Sequence, residues 1–167
     1  SATSSATIVT VNTLPTVTIT ASGATTFCIG GSVTLIASSG LSYLWSNGAT
    51  SQSITVNSGG SYSVAVANAG SCSATSSATV VSVNPLPIAS ISSASTFLCG
   101  SGATVSLTAT GGTSYQWSNN GVPIVGATAS TYSANTIGTY TATATSSFGC
   151  IASATGSIML TQMATPI

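Results

Sequence analysis

Four cysteines carry the most distinctive chemistry in this chain, and their number and spacing favour disulfide bonds over a metal site. Cys28 and Cys72 lie in the first half of the sequence, and Cys99 and Cys150 lie in the second half. No two of them have the C-x-x-C spacing that is typical of zinc sites. An even number of cysteines, two in each half, is typical of a disulfide framework in an oxidising extracellular compartment. We therefore expect disulfides and no metal.

Two tryptophans and two tyrosines could form a binding surface, but their positions favour a role in the core. Trp45 and Trp117 occupy the related motifs SYLWS and SYQWS, where alternation places tyrosine and tryptophan on one strand face. An exposed indole could stack on a sugar ring, whereas a core tryptophan packs between two sheets. Tyr62 and Tyr140 follow glycines at the start of a later strand. We expect all four side chains in the core.

The chain has 167 residues and contains no Asp, Glu, Lys, Arg or His. The usual general acids and bases of enzymes are therefore missing, and phosphate finds no cationic partner. Calcium sites lack carboxylates, and nucleic acid lacks the basic residues that neutralise its backbone. The composition thus argues against an enzyme, a cofactor, a metal site and a nucleic-acid partner.

The remaining composition predicts β-structure that is prone to self-association. Ser and Thr, 33 and 29 residues by count, make up 37% of the chain (62 of 167), and hydrophobic residues make up 43%. Valine, isoleucine and threonine favour strands, and glycine favours tight turns. No apolar run approaches the roughly 18 residues of a membrane helix. A neutral β-protein also lacks the net charge and edge lysines that keep monomers apart, so we expect an assembly.

Strand patterns occur in two concordant series, which predict an all-β chain of two tandem antiparallel sandwiches preceded by one extra strand. Each series has two cysteines, one SY-x-W-S motif and turns at Asn-Gly, and the second series is about seven residues longer between its cysteines. The first strand is expected at Thr16–Ala21, and the extra length is expected as a hairpin within residues 122–135. Prolines mark the connectors, which predicts an extra strand at 1–14 and domains at 15–85 and 86–167.

One stretch is duplicated in the sequence. Residues 1–15 and 73–87 are identical at twelve of fifteen positions, at an offset of 72 residues. The second copy ends the first series, so the first copy has the sequence of a final strand. We expect Ile8, Val9 and Val11 to pack against a domain outside this chain. The joint is either a continuous chain or a donated strand.

The motifs C-x-G, SVTL, SY-x-W-SN-G, G-x-Y and C-SAT-SSAT-VVSVN-P-LP resemble immunoglobulin-like repeats of very large secreted Bacteroidota surface proteins. Such proteins form adhesins and cell-surface filaments. The resemblance covers both predicted domains and implies an extracellular location, immunoglobulin-like sandwiches and a spacer role. Members usually carry Asp near the last turn, where this chain has Asn68, so the resemblance implies no calcium site.

The resemblance leaves two disulfide pairings open. One bond in each domain, Cys28–Cys72 and Cys99–Cys150, is the economical arrangement and is favoured. In an immunoglobulin topology, however, the loop before the second strand and the last hairpin lie at opposite poles, and a disulfide spans only about 4.4–6.8 Å between Cα atoms. The alternative is a Cys28–Cys150 bond across the domain junction, with Cys72 and Cys99 reaching neighbouring domains or subunits.

The sequence therefore predicts a structural subunit or repeat of an extracellular filament or adhesin shaft. Its partners would be copies of itself or adjacent repeats, assembled head to tail, with residues 1–12 completing a neighbouring sandwich. The alternative function is a carbohydrate- or surface-binding module on a cell-surface stalk. An exposed aromatic cluster would favour that alternative, and buried tryptophans would count against it.

Overall fold

The computed structural model describes residues 3–100 and 102–163, and this part of the chain contains strands, turns and irregular loops without a helix. The chain divides into two compact units, the first ending at Val83 and the second beginning at Asn84. Threonine and valine, which branch at Cβ, fit the pleated surface of a sheet better than they fit a helix. The composition is therefore consistent with an all-β chain.

The first unit is a sandwich of short strands. In chain order the strands are β1 (Ile19–Ala21), β2 (Thr26–Cys28), β3 (Val33–Ala37), β4 (Ser42–Trp45), β5 (Ser53–Val56), β6 (Gly60–Tyr62), β7 (Val64–Ala67), β8 (Ser73–Thr75) and β9 (Thr79–Asn84). One sheet has the order β1-β3-β5, and the other strands pair in the orders β2-β9-β6 and β4-β7-β8. Only Ser63 separates β6 from β7, so these are two stretches of one extended segment.

The core of the first unit lies between these sheets. Alternate residues of β3, beginning with Val33 and Leu35, are buried against Val64 and Val66 of β7. Trp45 at the end of β4 is 2% exposed, and its indole N–H donates to the carbonyl oxygen of Ser51 at 2.8 Å. This hydrogen bond allows the largest side chain of the unit to be buried without an unpaired polar atom.

The second unit repeats this architecture. The strands are β10 (Ser90–Ser93), β11 (Phe97–Cys99), β12 (Val105–Thr110), β13 (Ser114–Asn119), β14 (Val122–Pro123), β15 (Thr131–Ala134), β16 (Gly138–Thr145), β17 (Ile151–Ser153) and β18 (Ile158–Met163). One sheet has the order β10-β12-β15, and the other has the order β11-β18-β16-β13-β14, with β17 also paired to β16. The pair β11–β18 is parallel, and the other strand pairs of this unit are antiparallel.

The core of the second unit is richer in aromatic side chains. Leu107, Trp117, Tyr140 and Leu160 are buried together. The indole N–H of Trp117 donates to a backbone carbonyl, that of Ala129, at 3.0 Å. Both tryptophans thus bury a large apolar surface while a loop carbonyl pairs with their only polar group.

The predicted all-β fold of immunoglobulin-like sandwiches is confirmed, with three differences in its strands. The parallel pair β11–β18 departs from the predicted antiparallel pairing. The first strand begins at Ile19, and residues 3–18 form no strand within the described chain. The predicted hairpin within residues 122–135 is wrong. β14 pairs with β13, whereas β15 pairs with β12 in the other sheet. β15 lies in the opposite sheet because the ring of its residue Tyr132 packs on Trp117.

Core packing makes a direct prediction for the stability of the second unit. Leu107 is fully buried, whereas Val125 is fully exposed. Leu107→Ala should lower the free energy of unfolding by about 2–5 kcal/mol, because it leaves a cavity between the sheets. Val125→Ala is the matched control and should change it by less than about 0.5 kcal/mol. Urea unfolding followed by circular dichroism measures both, and equal effects of the two variants would contradict this core.

Candidate assembly segment and the four cysteines

The amino-terminal segment, residues 3–12, exposes its apolar side chains. Ile8 is 90% exposed, Val9 is 82% exposed and Val11 is 88% exposed. The segment forms no strand with the described residues of this chain. Three neighbouring branched side chains in water are an unfavourable arrangement that a partner sheet would relieve.

The end of this segment is held against the Cys72 loop, which we define as residues 68–72. The Asn68 side-chain amide donates to the carbonyl oxygen of Thr13 at 2.8 Å. The side-chain amide of Asn12 donates to the carbonyl oxygen of Gly70 at 3.3 Å. The Sγ of Cys72 lies 3.8 Å from the carbonyl oxygen of Asn12. These contacts fix the point at which the segment leaves the first unit.

The Cys72 loop is organised by the same asparagine. Oδ1 of Asn68 accepts hydrogen bonds from the backbone N–H groups of Gly70 at 3.0 Å and Cys72 at 3.1 Å. Ser71 adopts a positive φ of 57°, which closes the turn. A Cβ atom on Gly70 would lie 2.7 Å from Cγ of Asn12, so glycine is needed for the close approach of the segment. The loop is therefore shaped to receive Asn12.

The duplicated sequence shows how the segment would pack as a strand. At the offset of 72 residues, Val9 corresponds to Val81 and Ile8 corresponds to Val80. Val81 is 2% exposed in the core of the first unit, whereas Val80 points to solvent. By this register, Val9 has the sequence position of a core residue and Ile8 that of a surface residue.

The same register assigns a polar contact to the segment. Ser4 corresponds to Ser76, which joins β8 to β9. The Oγ of Ser76 accepts a hydrogen bond from the backbone N–H of Val64 at 3.1 Å, in a buried position. A serine at this point pairs an N–H group where the strand ladder is interrupted.

The favoured disulfide pairing is wrong, because Cys72 and Cys99 are free thiols and Cys28 and Cys150 form a disulfide. The alternative pairing, Cys28–Cys150, is the one formed. Cys28 and Cys72 do not pair because they lie at opposite ends of the first unit. Cys72 contacts Asn12, where the chain enters the unit. Cys28 is the last residue of β2, which pairs with β9, the strand by which the chain leaves the unit.

The predicted tyrosines hold the corners of the two sandwiches. The hydroxyl group of Tyr62, a half-buried residue, donates to the carbonyl oxygen of Ser58 at 3.0 Å. The buried Tyr140 hydroxyl donates to the carbonyl oxygen of Thr136 at the same distance. Each tyrosine bonds four residues upstream, which is the tyrosine corner of immunoglobulin-like domains. Both tyrosines therefore have a structural role.

A shallow groove of about 320 Å³ opens on the second unit, lined by residues between Ile124 and Ser133. Tyr132 is the aromatic residue of this lining, but its ring packs on Trp117 and Tyr140, with centroids 6.2 Å and 6.0 Å away. The groove therefore lacks a freely exposed ring on which a sugar could stack.

The described residues contain no group of three or more His, Cys, Asp or Glu side chains that could hold a metal ion. In the same residues there is no helix with the length and apolarity needed to cross a membrane.

Comparisons with known proteins reveal similarity of structure without a matching sequence family. No family model matches the chain, and no curated protein matches it. Among solved structures, three N-terminal domains of the bacteriophage RB49 outer capsid protein Hoc align over 88% of this chain and 59% of that chain, with 22% identity and a TM-score of 0.45. This chain thus spans less than two thirds of the phage fragment.

Two further structures are similar at lower identity. Murine CEACAM1b aligns over 89% of this chain and 100% of that chain, with 13% identity and a TM-score of 0.46. A 1.5-MDa bacterial ice-binding adhesin aligns over 90% of this chain and 66% of that chain, with 15% identity and a TM-score of 0.42.

Sequence reasoning identified the duplicated strand but missed its anchor on the Cys72 loop. In the sequence Asn68 is only a residue near the last turn of the first domain, and nothing in the sequence indicates that Asn12 contacts this loop. The hydrogen bonds from Asn12 to Gly70 and from Asn68 to Thr13 join positions more than fifty residues apart, and sequence periodicity does not reveal such contacts. Cys72, which lies beside these contacts, is the one sequence feature that could have drawn attention to this loop.

The anchor predicts a selective effect of Asn68→Asp. The carboxylate keeps the oxygen that accepts from Gly70 and Cys72 but loses the donor to Thr13. Losing one hydrogen bond of about 1 kcal/mol should raise proteinase K cleavage within residues 3–14 about fivefold while unit 1 stays folded. Gly70→Ala should also release the segment, by displacing Asn12. Unchanged cleavage in both variants would contradict the anchor.

Proposed function

We propose that this chain is a non-enzymatic structural repeat of an extracellular filament or adhesin shaft. Copies or adjacent repeats assemble head to tail, and residues 1–12 complete a neighbouring sandwich as its final strand. The observation that carries the proposal is the duplicated strand. Its second copy buries Val81, and its first copy leaves the equivalent Val9 in water. Strand addition would satisfy the backbone of the segment and bury this side chain.

In a neighbouring copy the segment would occupy the position of β18, the final strand of the second unit. In the first unit Gly60 is opposite Val81, and in the second unit Gly138 is opposite Leu160. Leu160 of β18 is thus the counterpart of Val81, and therefore of Val9. β18 pairs over three residues with β16 and over three with β11. Between copies, residues 1–12 take the place of this thinly paired strand.

The absence of charged residues supports strand pairing between copies. Strand pairing between uncharged chains meets no electrostatic repulsion, and it is insensitive to salt because there is little charge to screen. The exposed segment also lacks lysine and proline up to residue 14, the residues that commonly protect edge strands. Extracellular placement is supported by the Cys28–Cys150 disulfide, since such bonds persist in oxidising compartments.

The alternative function, a carbohydrate- or surface-binding module, has less support. It needs exposed aromatic platforms, but the most suitable side chains, Trp45 and Trp117, are buried between the sheets. Their indole N–H groups already donate to Ser51 and Ala129.

Deleting residues 1–12 should abolish end-to-end association and leave both sandwiches folded. Val9→Ser should weaken association strongly, because Val9 enters the partner's core. Ile8→Ser is the matched control at the neighbouring, outward-facing position and should leave association nearly unchanged. Sedimentation velocity measures the association, and circular dichroism checks the fold.

The opposite results are decisive. Polymers that persist after the deletion would show that the segment is not the link, and equal effects of Val9→Ser and Ile8→Ser would refute the strand register. Val9→Leu identifies the acceptor. It strengthens association if the segment replaces β18, where leucine is native, and weakens it if the acceptor is an adjacent repeat with a valine-sized site.

A further inference from the structure

We propose that Cys99 of one copy forms a disulfide with Cys72 of the following copy, so that the same covalent link recurs at every joint. This inference rests on the proposed head-to-tail assembly and deepens it. Both residues are free thiols in the single chain. The other two cysteines, Cys28 and Cys150, are bonded to each other, and their disulfide is the structural template for the proposed link.

Cys99 is the structural equivalent of Cys28. Each is the last residue of its strand, β2 or β11. In the first unit the backbone N–H of Ser82 donates to the carbonyl oxygen of Thr25 at 2.8 Å, and in the second unit Thr161 donates to Thr96 at 3.0 Å. Both cysteines therefore lie three residues beyond the same contact with the final strand.

Cys72 is the structural equivalent of Cys150. Each directly precedes a short strand, β8 or β17, and each closes a loop in which its N–H donates to a polar side chain four residues upstream, Asn68 or Ser146. The backbone N–H of that upstream residue donates back to the cysteine carbonyl oxygen, at 3.0 Å and 2.8 Å. The two loops therefore share the same hydrogen-bonding pattern.

The surroundings of the two sulfur atoms also correspond. Sγ of Cys150 lies 4.0 Å from the carbonyl oxygen of Asn84, and Sγ of Cys72 lies 3.8 Å from that of Asn12. Asn84 and Asn12 are equivalent positions of the duplicated stretch. The bonded cysteine and the free one thus have the same relation to the end of a final strand.

The strand register brings the free thiols together at a joint. In β18, Met163 lies three residues after Leu160 and is the register partner of Cys99, with the two sulfur atoms 3.8 Å apart. In the segment, Asn12 lies three residues after Val9. When Val9 takes the place of Leu160, Asn12 takes the place of Met163 and faces Cys99. Cys72, which contacts Asn12, then arrives beside the exposed Cys99 thiol.

The bond forms by thiol–disulfide exchange with a low-molecular-weight disulfide of the oxidising compartment. One cysteine thiolate attacks the donor disulfide, forms a mixed disulfide and releases one donor thiol. The second cysteine thiolate then attacks the mixed disulfide, forms the Cys72–Cys99 bond and releases the second donor thiol. The two cysteines are oxidised, and the donor is reduced by two electrons and takes up their two protons.

The test uses the full chain with oxidised glutathione, analysed on non-reducing gels. Wild type should form a ladder of covalent multimers, and neither Cys72→Ser nor Cys99→Ser alone should form more than a trace. An equimolar mixture of the two variants should yield a covalent dimer and nothing larger, because only one complementary thiol pair remains. Peptide mapping of that dimer should identify Cys72 joined to Cys99.

Two results would overturn the proposal. One is a dimer formed by Cys99→Ser or Cys72→Ser alone as efficiently as by the mixture, which would mean symmetric pairing of exposed thiols. The other is a mixture that stays monomeric on the gel. The double variant Cys72→Ser/Cys99→Ser separates this from the proposed function: it keeps Cys28–Cys150 and should still associate non-covalently. If it associates while the mixture does not crosslink, only the disulfide inference fails; if it is monomeric, the proposed assembly fails.

Discussion

The hydrogen bond from a buried indole N–H to a loop carbonyl is the interaction on which each sandwich depends. Trp45 and Trp117 fill the space between the sheets, and their polar atoms are paired with Ser51 and Ala129. In a chain without charged side chains, a buried polar group can be paired only by a neutral donor or acceptor. The tyrosine corners and the Ser76 hydroxyl follow the same rule. Each unit is thus held by apolar packing and neutral hydrogen bonds.

The same constraint shapes the surface. A neutral β-sandwich has no charge repulsion to keep its edges apart, so its exposed strands favour pairing with other chains. The amino-terminal segment is exposed and unpaired in the same way, and the Cys72 loop fixes where it leaves the first unit. We infer that association is the function of this segment, and that the two free cysteines make the association covalent.

The fold was predictable because its signals are local. Period-two alternation in β3 and β12, the Asn-Gly turns and the paired SY-x-W-S motifs each act over a few residues. The sequence offered Cys28–Cys150 only as the alternative pairing, because the choice depends on which end of a unit each cysteine occupies. The course of residues 124–130 was missed as well, since the position of β15 is set by packing of Tyr132 on Trp117. The anchor of Asn12 on the Cys72 loop likewise depends on tertiary contacts.

The central claim is that the chain assembles head to tail through its amino-terminal segment, residues 1–12. Electron microscopy of the purified chain tests it most directly. The account predicts unbranched fibres whose repeat along the axis is two sandwich domains, with density for one shared strand at every joint. A stable population of separate, two-domain particles at the same concentration would contradict it.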